Sequence, residues 1–228
     1  MLNRRDFVNR IGITAAAAGM LTEMAYAQRA ALNASGAMPK DMVWLNANEN
    51  PAGPPASVVK AMAEMLPYSN RYHYQEFAGF YTKLAHSEDL DASQILVGAG
   101  SSEPLHAAVE AFTSATQPMI AIAPTYEGPP EVARSLGRHV ITVPVTKGYY
   151  ADVHKLVAEA EKAGGGLIYL CNPNNPTSAV TPKADIAWMM SNLPPNTIAL
   201  IDEAYIHFAE TPELESAWAM CAREKTWW

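Results

Sequence analysis

A chain of 228 residues with 49% hydrophobic and 17% charged residues can build a packed core, which excludes an intrinsically disordered protein. A net charge of −7 argues against a nucleic-acid partner held through its phosphates. The cysteines, Cys171 and Cys221, are far apart and read as free thiols, and the six histidines show no paired ligand spacing, so no metal site is expected.

Residues 1–27 have the layout of an export signal. Arg4-Arg5 precede Phe7, a weakly apolar run follows from Ile11 to Leu21, and Ala25-Tyr26-Ala27 supplies a small-x-small cleavage pattern. Paired arginines with a nearby Phe resemble the twin-arginine signal, which implies export to the periplasm; an ordinary secretory signal, or a cytoplasmic protein with an attached basic helix, are the alternatives. The run falls short of the roughly 20 apolar residues a spanning helix needs, so no stable membrane span is expected.

Residues 28–66 read as a linker and an N-terminal arm. Val43-Trp44-Leu45 leads into a loop, Asn46-Ala47-Asn48-Glu49-Asn50-Pro51. Pro54-Pro55 then opens a helix with Val58, Val59, Met62, Met65 and Leu66 at helical spacing. A turn at Pro67-Tyr68-Ser69-Asn70 leads to a second helix over about 75–86.

Residues 67–228 read as one larger domain in which apolar strands alternate with amphipathic helices. Strands are expected at Ile95-Leu96-Val97, Met119 to Ala123, Val140 to Val143, Gly166 to Leu170 and Thr197 to Ile201. Helices are expected around Leu105 to Phe112, over Glu131 to Leu136, over Val153 to Ala160 with Asp152 as its cap, and from Lys183 to Met190. This alternation predicts an α/β protein built of βαβ units, a three-layer αβα arrangement with a mainly parallel sheet.

In such sheets ligands bind at the C-terminal ends of the strands. Gly98-Ala99-Gly100-Ser101 follows one strand and opens a helix, a place where exposed N–H groups and the helix dipole attract an anion; a plain tight turn is the alternative. Tyr126 offers a flat ring after the next strand, or else core packing. Asn172-Pro173-Asn174-Asn175-Pro176-Thr177 follows the strand of Gly166, and its turns should display the Asn side chains rather than pack them. Asp202 ends a wholly apolar strand, where a carboxylate needs a cation unless it serves as a helix cap. Tyr205 adds a phenol. A phosphate cradle, a ring to stack, an amide and a phenol for a hydroxyl, and an acid for a protonated nitrogen together fit pyridoxal 5'-phosphate.

On these residues the chain resembles the fold-type I pyridoxal-phosphate aminotransferases of class I/II, and within them the histidinol-phosphate aminotransferase group. Leu45 to Pro51, Asn70-Arg71-Tyr72, Gly98 to Ser101, Pro124-Thr125-Tyr126, Asn172 to Thr177 and Asp202-Glu203-Ala204-Tyr205 follow the order of that group's motifs. The resemblance implies that Ala99, Gly100 and Ser101 hold the phosphate, that Tyr126 stacks on the ring, that Asn175 and Tyr205 bond the 3-hydroxyl oxygen, and that Asp202 pairs with the ring nitrogen. It implies that Tyr72 reaches the phosphate of the other subunit of a homodimer, and that Asn46, Asn48 and Glu49 line the substrate entrance. The reaction implied is amino-group transfer between an amino acid and a 2-oxo acid; a lyase or cyclising enzyme on the same fold, or a non-catalytic gene product, are the alternatives. Two positions depart from the motifs: Ser178 stands where Gly is usual, and His73 where Pro is frequent.

The group's imine-forming lysine, on a Ser-Lys turn beyond the Asp-x-x-Tyr motif, has no match, and Lys225 in Arg223-Glu224-Lys225-Thr226 comes too early for it. No catalytic residue is therefore assigned, and without that amine transamination has no usual route. The expectation is an incomplete large domain without its smaller C-terminal partner, truncated before the lysine, with Trp227-Trp228 marking a shifted reading frame.

Overall fold

A computed structural model describes residues 43, 45 and 47–218. The signal, the frame-shift and the Asn46, Cys221 and Lys225 readings lie outside the described residues. The described residues fall into two compact units that divide between Ile95 and Leu96.

In the first unit, α1 spans Ala56–Met65 behind Pro55, and α2 spans Tyr74–Glu88. Helical spacing forms α1, but its stripe is not buried: Val58, Val59, Met62 and Met65 all stand exposed. His73 precedes α2 at φ +50, a value the proline ring forbids, so the departure from proline does alter this turn. The His73 ring bonds the Tyr68 carbonyl and Glu76, and these contacts raise its pKa, the Tyr68 carbonyl most.

In the second unit, α3 (Ser102–Phe112) leads to β1 (Met119–Ala123), α4 (Gly128–Ser135), β2 (Val140–Pro144), α5 (Val153–Ala163), β3 (Gly166–Cys171), α6 (Lys183–Ser191) and β4 (Thr197–Asp202). The α/β expectation holds: the four strands are all parallel, in the order β2-β1-β3-β4. Every residue of β3 is buried, as a strand covered on both faces requires.

Alternation along β3 sorts the side chains into two cores. Ile168 and Leu170 join Ile120 and Ile122 under Leu156 and Ala160 of α5 and Ile186 and Met189 of α6. Leu167, Tyr169 and Cys171 join Met119 and Ala121 under Leu105 and Val109 of α3 and Val132 and Ala133 of α4. Helices thus cover both faces in three layers. Each large side chain removed from water contributes roughly 1.5–3 kcal/mol. Asp152 caps α5 as expected, accepting from the Lys155 N–H at 3.0 Å.

Two expectations need correction. Ile95-Leu96-Val97 is not a strand. Ile95 has extended backbone angles, but the segment has no ladder partner among the described strands, and Leu96 and Val97 are exposed. Helix α4 begins at Gly128 rather than Glu131, because Pro129-Pro130 occupy its first turn, where no N–H is needed.

Candidate functional site

The sheet order places a topological switch between β1 and β3. From β1 the chain moves outward to β2, then returns to β3 on the other side of β1. Loops leaving β1 and β3 therefore diverge over a crevice at the C-terminal edge, the position where open α/β sheets bind ligands. These are the loops of Tyr126 and Asn175.

Asn174 ties the two loops together. It is 5% exposed. Its Oδ1 accepts from the Thr125 hydroxyl at 2.8 Å, and its Nδ2 donates to the Pro124 carbonyl at 3.1 Å and to Thr177 Oγ1 at 2.8 Å. Asn172, fully buried, closes the base of its own loop. Its Oδ1 accepts from the Thr181 N–H, and its Nδ2 donates to the Thr181 carbonyl. The expectation that this loop displays its asparagines is therefore wrong for Asn172 and Asn174. Their amides take over backbone bonding that a Pro-interrupted loop cannot supply. Asn175 is the half-buried one, between Pro173 and Pro176.

The strand ends of β3 and β4 carry the acid. Register pairs Cys171 with Asp202, and the Asn172 N–H donates to the Asp202 carbonyl at 2.8 Å. Asp202 is 7% exposed. Its Oδ2 accepts from the Tyr169 hydroxyl at 2.9 Å, and its Oδ1 from the Ala204 N–H at 3.1 Å. No cation lies on it among the described residues, so a phenol and a backbone amide meet the demand of burial in part. Burial, reinforced by the Asp202 charge, pushes the Tyr169 phenol far above the ordinary tyrosine range, so it stays a donor. Burial pushes the Cys171 thiol up to about 11, which makes it an inert core group at neutral pH.

The remaining second-unit candidates are Tyr126, Tyr205 and the residues at the start of α3. Tyr126 is half-buried and packs on the core under α3 and α4, with its ring against the backbone of Gly128. Tyr205 is half-buried, its ring centroid 6.4 Å from that of Phe208. Glu203 of the same motif is structural: its carboxylate accepts from the Ser216 hydroxyl and the Ala217 N–H. Gly98 admits the first turn of α3, since a Cβ there would lie 2.7 Å from Pro104 Cδ. The Ala99 N–H is already engaged by the Glu103 carboxylate, so an anion here would have to share or displace that bond. Gly100 and Ser101 lie exposed at the helix start.

Tyr72, Asn48 and Glu49 belong to the first unit, and all are exposed. Tyr72 stacks on Tyr74 at 5.3 Å. Two residues that sequence reasoning passed over carry much of the site. Asn174 was masked by its neighbour Asn175. Tyr169 is the one side chain with a polar tip in a strand of otherwise apolar residues, a signal that was present in Gly166-Leu167-Ile168-Tyr169-Leu170.

Ser178 occupies φ +58 in the same loop. Glycine there would relieve roughly 1–2 kcal/mol of left-handed strain, offset by roughly 0.5–1 kcal/mol of backbone entropy. Ser178→Gly is thus expected to raise the melting temperature slightly in a thermal scan. A fall would show that the serine side chain holds the loop more strongly than the strain opposes it.

The family model for aminotransferase class I and II matches residues 40–226. The chain belongs to this family. A histidinol-phosphate aminotransferase of Symbiobacterium thermophilum is 34% identical over 75% of this aminotransferase-family chain and 47% of its own length. An aromatic amino acid aminotransferase of Cutibacterium acnes is 33% identical over 74% of the chain and 48% of its own length. A solved histidinol-phosphate aminotransferase of Sinorhizobium meliloti, in complex with pyridoxal-5'-phosphate, superposes with a TM-score of 0.69 at 26% identity, over 74% of this chain and 45% of that one. The chain therefore spans about half the length of the curated relatives it matches.

Proposed function

We propose that this chain is the cofactor-holding part of a pyridoxal-phosphate-dependent aminotransferase that moves an amino group between an amino acid and a 2-oxo acid. The observation that carries the reading is Asp202, a nearly buried acid at the tip of β4, bonded at both oxygens and still carrying unused lone pairs. A carboxylate so placed suits a protonated ring nitrogen. The other candidate groups suit the same cofactor: the N-terminus of α3 for a phosphate, Tyr126 for the ring face, Asn175 and Tyr205 for a ring hydroxyl. Two kinds of relative, named for histidinol phosphate and for aromatic amino acids, support the amino-acid substrate class.

When bound, pyridoxal phosphate supplies an electron sink for the carbon that exchanges its amino group. Asp202 would keep the ring nitrogen protonated. Gly100 and Ser101 would anchor the phosphate, and Tyr126 would fix the tilt of the ring. These are binding and orienting roles. The exposed apolar stripe of α1 suits a second copy of the chain, with Tyr72 offered to its partner's phosphate. The twin-arginine pattern supports export, which the mass of the mature chain in a periplasmic extract tests.

The cofactor reading is tested by titrating the full chain with pyridoxal phosphate and following ligand absorbance. Asp202→Asn keeps the shape and one acceptor but removes the charge. Its affinity is expected to fall at least tenfold, the loss of about 1.4 kcal/mol. Equal affinity for the two proteins would sink the reading.

A further inference from the structure

Strand β3 is buried throughout, and every other side chain on it is apolar, a glycine or a thiol. At position 169 phenylalanine would fill the same volume without the cost of burying a hydroxyl. What distinguishes tyrosine is the atom its hydroxyl reaches, Asp202 Oδ2 at 2.9 Å, across to the neighbouring strand. The contact follows from the register. Residues 167, 169 and 171 share a face with residues 198, 200 and 202 of β4, so a long side chain at 169 extends along the sheet toward the acid at the strand tip.

We propose that Tyr169 is a positioning residue for the ring-nitrogen site, acting through Asp202. The proposal rests on the cofactor reading above. A carboxylate held at one oxygen can rotate about its Cβ–Cγ bond. Here Tyr169 fixes Oδ2 while the Ala204 N–H fixes Oδ1, so the carboxylate plane is set before a ligand arrives. Each oxygen retains a lone pair for a cationic N–H donor. The hydroxyl also keeps Oδ2 hydrogen-bonded when no ligand is bound. Burial and the Asp202 charge keep the phenol un-ionised, so it remains a donor to the carboxylate. Cys171, opposite Asp202, donates instead to the Pro173 carbonyl and does not compete for the carboxylate.

The experiment compares two ligands on the full chain and on its Tyr169→Phe variant. One ligand is pyridoxal phosphate. The other is its analogue with a benzene ring in place of the pyridine, the phosphate, hydroxyl and aldehyde unchanged. Tyr169→Phe is expected to weaken pyridoxal phosphate about tenfold and to leave the nitrogen-free analogue within twofold. A general loosening of the strand would weaken both alike, and that result overturns the proposal, as does unchanged binding of both. If the parent chain binds neither ligand, the cofactor reading falls and takes this proposal with it. Thermal melts of Tyr169→Phe, Asp202→Asn and the double variant supply a readout without ligand. The two substitutions are expected to lower the melting temperature by less together than the sum of their separate effects, and strict additivity overturns the Tyr169–Asp202 coupling.

Discussion

Gly166→Ala is expected to lower stability by about 3–5 kcal/mol, an effect of the size reserved for backbone strain and overlap within a core. Gly166 opens β3 at φ +140, a region that a residue with a Cβ rarely enters. A Cβ there would sit 2.4 Å from the Pro118 carbonyl oxygen and 2.9 Å from Ile120 Cδ1. That carbonyl cannot retreat freely, because it accepts the Leu167 N–H at 2.9 Å. Movement of Gly166 itself would strain its bond to the Asn196 carbonyl, 3.0 Å away, and the pairing of β3 with β1 on one side and β4 on the other. Urea unfolding with a common m-value measures the loss. A loss below about 1 kcal/mol would mean that the strand entry relaxes around a methyl group, and that the close approach is not what demands glycine.

The same position shows what the sequence does and does not disclose. The apolar runs of β1 to β4 were legible because a strand buried on both faces must be apolar along its length. The cap at Asp152 was legible because capping is local. Pairing is not local. Ile95-Leu96-Val97 has strand composition, yet no ladder forms for it among the described strands. Nor does composition say that Gly165 and Gly166, but not Gly164, are pressed against a neighbouring backbone. The site divides along the same line. Asp202 could be singled out because an acid at the end of an apolar strand is costly wherever it occurs. That its partners would be Tyr169 and the Ala204 N–H depends on strand register, which one strand's sequence does not encode. Asn174 and Asn175 are chemically identical neighbours, and only the path of the loop decides which is buried as a tie and which is left half-buried at the edge.

Asn174→Ala is the second large effect, and it joins stability to ligand binding. The substitution removes the acceptor of a buried Thr125 hydroxyl and the donor to the Pro124 carbonyl and Thr177. Thr125 is 8% exposed and has little water to turn to, whereas the exposed Pro124 can be rehydrated. With a stranded buried group costing roughly 1–3 kcal/mol and the other bonds less, a total loss of about 2–3 kcal/mol is expected. Backbone bonds from Ser178 N–H to the Asn174 carbonyl and from Asn174 N–H to the Ala179 carbonyl survive, so the loop should loosen without detaching. Loosening matters because Tyr126 follows Thr125 directly and Asn175 follows Asn174. The residues proposed to face the ring and its hydroxyl are placed by this one side chain. Adding Thr125→Val to Asn174→Ala separates the contributions: it removes the stranded hydroxyl and leaves only the loss of the two donors, so it should recover part of the stability that alanine loses. Pyridoxal-phosphate affinity should fall in the alanine variant together with the unfolding free energy. If the alanine variant lost stability but kept full affinity, the bridge across the crevice would belong to the fold alone, and the loops would reach their ligand-ready positions by contacts other than Asn174.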